Sequence, residues 1–179
     1  MKLKLLLLVL ALQTAWILGT TIVQERVLAG GKLVLLETRP VDPRDLLRGD
    51  YVTLGYKISD VTLSPPVPTN GLPPGTTVYV ALEPRGQFHE VALASTNRMT
   101  AAEGQVVLKG HVRSWWNSAA QHTVRLEYGL EHYDVREGTG NPRGKLTVQA
   151  AVPDSGQARI KQVFVDGKPY AEVMKGVAR

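Results

Sequence analysis

"DYVTLGYKI", residues 50–58, alternates without a break. Val52, Leu54, Tyr56 and Ile58 share one face of an extended chain, and Tyr51, Thr53, Gly55 and Lys57 share the other, because successive strand side chains point to opposite sides. That period predicts a half-buried strand, and the chain around it repeats the pattern. "KLVLLETR" (32–39) is short, apolar and closed by Pro40. "TTVYVAL" (76–82) and "FHEVALAS" (88–95) flank "EPRGQ" and read as a hairpin. "QVVLKGHVR" (105–113) and "HTVRLEYGLEHY" (122–133) are expected as strands joined by "SWWNSAAQ". "KLTVQAAV" (145–152), "ARIKQVFV" (158–165) and "KPYAEV" (168–173) follow, with "PDSGQ" and Asp166-Gly167 as turns, the second a hairpin signal. Eight or nine strands and no convincing soluble helix predict an all-β fold, an antiparallel sandwich or barrel-like domain. The proline-rich "SPPVPTNGLPPG" (64–75) is a loop that could subdivide it. One domain over residues 25–179 is the expectation, since either half alone would be marginal.

One pattern occurs twice. Val52, Leu54, Tyr56 and Ile58 are echoed by Val124, Leu126, Tyr128 and Leu130. A duplicated unit would produce this. The plainer expectation is that half-buried strands resemble one another.

The chain begins "MKLKLLLLVLALQTAWILGTTIVQER", with no charged residue from Leu5 to Val23. Such a helix, at about 1.5 Å per residue, spans roughly the hydrocarbon core of a bilayer. Residues 1–24 are therefore expected to form a signal-anchor transmembrane helix. Lys2 and Lys4 precede it, so the N-terminus is expected in the cytoplasm and the domain in the periplasm or its extracytoplasmic equivalent, a single pass through the inner (cytoplasmic) membrane. A cleaved secretory signal competes, but Ala11-x-Gln13 and Gln13-x-Ala15 make poor cleavage sites.

The net charge is +5, with Lys2 and Lys4 supplying part of it. That is too mild to suggest nucleic acid, and no Lys/Arg run is interleaved with aromatics. With no cysteine, disulfides, thiolate-bound zinc and thiol nucleophiles are excluded.

Upstream of the opening strand, "DPRDLLRG" (42–49) reads as one capped helical turn. Asp42 would be the N-cap, Pro43 the first helical position, Asp45 a favourable charge and Gly49 the terminator. That leaves Arg44, Arg48, Asp50 and Tyr51 as candidate binding residues, with Asp50 able to pair with either arginine.

"RGDYVTLGY" contains Gly49-Asp50-Tyr51-x-x-Leu54-x-Tyr56, which resembles the signature of the bacterial GDYXXLXY protein family. "YGLEHYDVREGTG" (128–140) is similar to that family's second stretch through Tyr128, Gly129, Glu131, Tyr133, Glu137, Gly138 and Gly140. Asp134-Val135-Arg136 stand where Phe-Val-Pro is expected, and "VFVDGKPY" resembles the family's C-terminal end. The resemblance implies a small, anchored, extracytoplasmic protein, with a multi-pass membrane protein as partner, and implies no activity.

The residues support no reaction of their own. On a serine–lysine signal-peptidase pattern aligned at Gly49-Asp50-x-Val52, the nucleophile falls on Val41. His89, His111, His122 and His132 lack metal-ligand spacing, although sheet neighbours could bring His111 and His132 together. Glu127 and Glu131 beside Arg125 read first as a solvated charged strand face. Of Trp115 and Trp116, one is expected in the core and the other over a sheet edge. No metal or cofactor is expected. The function expected is a non-catalytic accessory or binding partner of a membrane or envelope protein, working through Arg44, Arg48, Asp50, Tyr51, Tyr128, Glu131 and Glu137. The alternative, a glycan- or small-ligand-processing module with a carboxylate/Tyr site, requires the 42–56 and 128–140 segments to meet.

Overall fold

The structure, a computed structural model, describes residues 2–39, 51–65, 71–118, 121–135 and 144–175. The turn expected at 42–49 lies outside them, as do Arg44, Arg48, Asp50 and Glu137. A single helix, α1 (Lys2–Gly30), precedes the β-domain. It is long and apolar enough to cross a membrane, and none of its apolar window is buried. Leu3 is 68% exposed and Trp16 76%, so its apolar surface runs all the way round. Its hydroxyls are satisfied within the helix, Thr14 donating to the Leu10 carbonyl and Thr20 and Thr21 to that of Ile17, the arrangement an apolar solvent demands. Gly31 turns the chain sharply into the domain. A Cβ there would lie 2.7 Å from the Val27 carbonyl oxygen and 2.9 Å from the Val152 nitrogen.

The domain is built of short antiparallel strands: β1 (Lys32–Arg39), β2 (Tyr51–Thr53), β3 (Gly55–Tyr56), β4 (Asp60–Thr62), β5 (Thr77–Arg85), β6 (Phe88–Ser95), β7 (Val106–Ser118), β8 (Gln121–Glu127), β9 (His132–Asp134), β10 (Leu146–Val152), β11 (Arg159–Val165) and β12 (Lys168–Pro169). One sheet runs β12-β11-β10-β1-β3, a second β4-β8-β7-β5-β6, and β2 pairs with β9. The inward stripe of the opening strand is as expected: Val52, Leu54, Tyr56 and Ile58 are all buried. Leu63 and Leu72, on either side of the proline-rich stretch, belong to the same core as both sheets. The sheets also meet at an edge, where the Leu35 amide donates to His89 Nδ1 at 3.2 Å, and the second sheet curls until its own edges approach, the Ser64 amide just after β4 donating to the Ala94 carbonyl of β6 at 2.9 Å.

Several sequence expectations need correction. The opening strand is not continuous: it breaks at Leu54 and ends in a 3-10 turn over Lys57–Ser59. The segment 122–133 is not one strand either; Tyr128–Glu131 form a turn, with Gly129 at φ 75°, between β8 and β9. β7 runs on to Ser118, so Trp115 and Trp116 lie in a strand rather than a connection. Trp115 packs against the core, while Trp116 is 41% exposed beneath the Arg125 guanidinium, 5.5 Å from its ring centroid. The last expected strand is mostly a helix, α2 (Tyr170–Lys175), for which Pro169 sets a favourable entry angle.

The echo noted in the sequence is structural. Val52 and Val124 lie 72 positions apart, and the same shift carries β1 onto β7, β2–β3 onto β8 and β4 onto β9. Asp60 pairs with Arg125, Val61 with Val124 and Thr62 with Thr123; their counterparts His132–Thr53, Tyr133–Val52 and Asp134–Tyr51 are the pairs joining β9 to β2. Leu36 pairs with Val148 and its counterpart Leu108 with Val80, which makes Val80 and Val148 mates. One residue beyond each, both hairpins carry a bulge, at Ala81/Leu82 and at Gln149/Ala150. The strand pairings β1–β10 and β7–β5 correspond in the same way. Each half therefore lends its hairpin to the other half's first strand. Two similar units are interlocked about a pseudo-two-fold axis, and the plainer account of the echo fails.

Candidate functional site

The two signature segments meet where the halves cross. Tyr51 pairs with Asp134, Val52 with Tyr133 and Thr53 with His132. The Leu54 amide then donates to the Glu131 carbonyl at 2.7 Å. The signature tyrosines close the crossing reciprocally: Tyr56 donates its hydroxyl to the Leu130 carbonyl, and Tyr128 donates its own to the Ile58 carbonyl, each at 2.6 Å. Both rings are buried. Burial, reinforced by the Glu131 carboxylate, pushes both phenols well above their ordinary pKa. They are hydrogen-bond donors to backbone, not acids or bases poised for work near neutrality. Tyr128, expected as a binding residue, is thus committed to the core.

Beside this crossing lies a cleft of about 750 Å³, lined from both halves. Thr53 and Arg125, Leu54 and Leu126, Gly55 and Glu127, and Ser59 and Glu131 are mates under the 72-residue shift, and all of these line the cleft. The cleft therefore sits on the pseudo-two-fold axis. Arg39, Arg113 and His132 complete its polar wall. The alternation of β1 and β8 explains the composition, since Arg39, Arg125 and Glu127 fall on the strand faces turned away from the core.

The charges are organised around Asp60. Arg125 grips it with two bonds, Nε to Oδ1 at 2.7 Å and Nη2 to Oδ2 at 3.1 Å. Arg39 adds Nη1 to Oδ2 at 2.6 Å and ties itself down through Nε to the Tyr56 carbonyl at 2.9 Å. The Arg125 hydrogen bonds are the main cause, with those of Arg39 adding to them, of an Asp60 carboxyl held below the usual carboxylate range against the opposing effect of burial. Arg113 reaches Glu127 at 2.7 Å. Glu131 turns its Oε1 back to accept the Tyr128 amide at 2.7 Å, so it caps the turn as well as lining the cleft.

Because the folded pKa of Asp60 lies below its unfolded value of about 3.9, its ion pairs stabilise the fold above that pH. The contribution is lost as pH falls through the folded pKa. Asp60→Asn is expected to cost about 1–2 kcal/mol at pH 7, discounted for the part-exposed arginines, and that cost should shrink once the pH is taken well below the unfolded value of about 3.9. Denaturant melts of both proteins at the two pH values check this.

Of the residues expected in the site, Glu131 lies in the cleft, Tyr128 beneath it, and the backbone of Tyr51 in the crossing ribbon. Arg39, Asp60, Arg113 and Arg125 were not candidates, since only the crossing brings them together. His111 and His132 do not become sheet neighbours: His111 pairs with Glu127 and His132 with Thr53. Among the described residues, no group of three or more His, Asp or Glu could hold a metal ion.

No curated protein and no solved structure matches the chain. A family model does match, over residues 13–163, which takes in both signature segments and most of the chain. The tyrosine crossing, built from the letters of the signature itself, belongs to a chain that is a member of the GDYXXLXY protein family.

Proposed function

We propose that this protein is a single-pass membrane protein, anchored by α1 with its N-terminus in the cytoplasm. On this reading the β-domain stands on the periplasmic or extracytoplasmic side and serves as a non-catalytic binding accessory to a membrane or envelope protein. The observation that carries the proposal is the axial cleft: the two signature segments converge on one polar surface, and its arginines are pre-positioned. The all-round apolar helix and the lysines before it support the topology. The processing-enzyme alternative would draw on Asp50, Tyr51, Glu131 and Glu137, of which Asp50 and Glu137 lie outside the described residues. Against it, the Tyr56 and Tyr128 hydroxyls are spent on carbonyls, and Glu131 already accepts the Tyr128 amide.

The absence of native cysteine makes a clean test available. Thr53→Cys places one thiol in the cleft. It should react with a membrane-impermeant maleimide in spheroplasts, and a short thiol-anchored photocrosslinker there should capture a membrane protein in native membranes. Reaction only after lysis would overturn the topology. Capture no better than from exposed Lys161→Cys on β11 would overturn the docking surface.

A further inference from the structure

The two halves have diverged mainly outside the core, and the cleft shows one consequence. In the core, mates stay alike: Val52 and Val124, Leu54 and Leu126, Tyr56 and Tyr128 are identical pairs. At the cleft the first half carries Thr53, Gly55 and Ser59 where the second carries Arg125, Glu127 and Glu131. At these mated positions the first half supplies room and the second supplies charge, and Arg39 joins that charge from the first half.

The charge has a direction in hydrogen-bonding terms. Both Asp60 oxygens are taken by guanidinium groups, Glu127 is held by Arg113, and Glu131 accepts a backbone amide. Each guanidinium offers five N–H donors, and Arg39 Nη2, Arg125 Nη1 and Arg113 Nη2 hold no hydrogen bond among the described residues. What the cleft has to spare is donors. Asp60 and the face of Trp116 fix the Arg125 plane in advance, so little side-chain freedom is lost when an acceptor arrives.

We propose that the axial cleft receives a carboxylate or phosphate group, held by the free edges of Arg39 and Arg125 and closed over by Arg113. This rests on the reading of the cleft as a binding surface, and it names the chemistry recognised. The source that this reading requires is the C-terminal carboxylate of a partner polypeptide; free phosphate and an anionic lipid headgroup present similar acceptors, and preferred binding of either would overturn that source. The full-length protein in nanodiscs would be titrated with inorganic phosphate and with acetyl-trialanine bearing a free or an amidated C-terminus. Nanodiscs with and without phosphatidylglycerol would be compared, following Trp fluorescence.

Saturable binding with Kd below about 1 mM is expected for the peptide with a free C-terminus and not for its amide. It should weaken about tenfold in Arg125→Gln, and to a similar extent in Thr53→Arg, which fills the cleft while leaving the native arginines in place. Thr53→Arg should melt close to the parent and Arg125→Gln, which loses its bonds to Asp60, a few degrees lower; a cooperative transition in both would show that the fold is intact. No saturable binding from any source, or binding that neither variant changes, overturns the proposal. If Thr53→Cys still captures a membrane partner while no anion binds, the docking surface stands and the ligand chemistry falls. If anions bind and no partner is captured, the reverse holds.

Discussion

Gly71→Ala is expected to destabilise the domain by about 2–5 kcal/mol, the sum of overpacking and of forcing an L-residue into the left-handed region. Gly71 has φ 76°, and a Cβ there would fall 1.8 Å from Trp115 Cε2 and 2.0 Å from Cζ2. The ring cannot retreat cheaply, because Trp115 is itself packed against the core from a stretch of β7 that β8 holds in register. Accommodating the methyl means tilting the indole and disturbing the second sheet. Urea denaturation of the variant, with the Trp signal followed separately from backbone circular dichroism, should show a lower midpoint and an altered indole environment before unfolding. A midpoint within experimental error of the parent would mean that Gly71 and Trp115 are not in contact.

Tyr56→Phe and Tyr128→Phe should each cost about 1–3 kcal/mol, because each leaves a carbonyl at the crossing without its donor while keeping the ring volume. The two hydrogen bonds close one crossing from opposite sides. Their effects should therefore resemble each other in size, and the double variant should depart from additivity by about 0.5 kcal/mol or more. Comparable losses at Tyr56 and Tyr128 would be hard to explain if the two halves were unrelated strands of ordinary appearance. A loss at one position only would show that the reciprocal arrangement does not carry the crossing. Both variants keep the arginine cluster, so a change in binding without a change in melting would also count against the purely structural role of these hydroxyls.

Much of the sheet was legible from side-chain alternation and turn chemistry. β6 has the bounds expected from "FHEVALAS". The turn at Asp166-Gly167 has the positive φ values, 49° and 80°, that a two-residue hairpin requires. The failures have equally local causes. "SWWNS" lacks alternation, and it stays extended because β8 pairs with it along its length. "KPYAEV" alternates, yet it turns helical to seat Tyr170 and Met174 in the core, where Tyr170 meets Tyr133 edge-on at 5.5 Å.

The site was less legible for a different reason. The signature residues stand out because the crossing needs them: Leu54 and Tyr56 are core residues. The residues with chemistry to offer, Arg39, Asp60, Arg113 and Arg125, come from four strands and carry no motif. Only the interlocking of two units makes them neighbours. The repeated Val-x-Leu-x-Tyr was the one sequence feature that pointed there, and pattern alone could not separate duplication from the common grammar of half-buried strands.

The most direct test of an anchored domain working through its axial cleft is maleimide labelling of Thr53→Cys, with Lys161→Cys as control, in spheroplasts and on purified protein. The account predicts that both thiols react without permeabilising the inner membrane. It also predicts that Thr53→Cys alone is slower in the membrane than in the purified protein, because a partner covers it there. Labelling of either thiol only after lysis, or equal rates for Thr53→Cys in both settings, would contradict it.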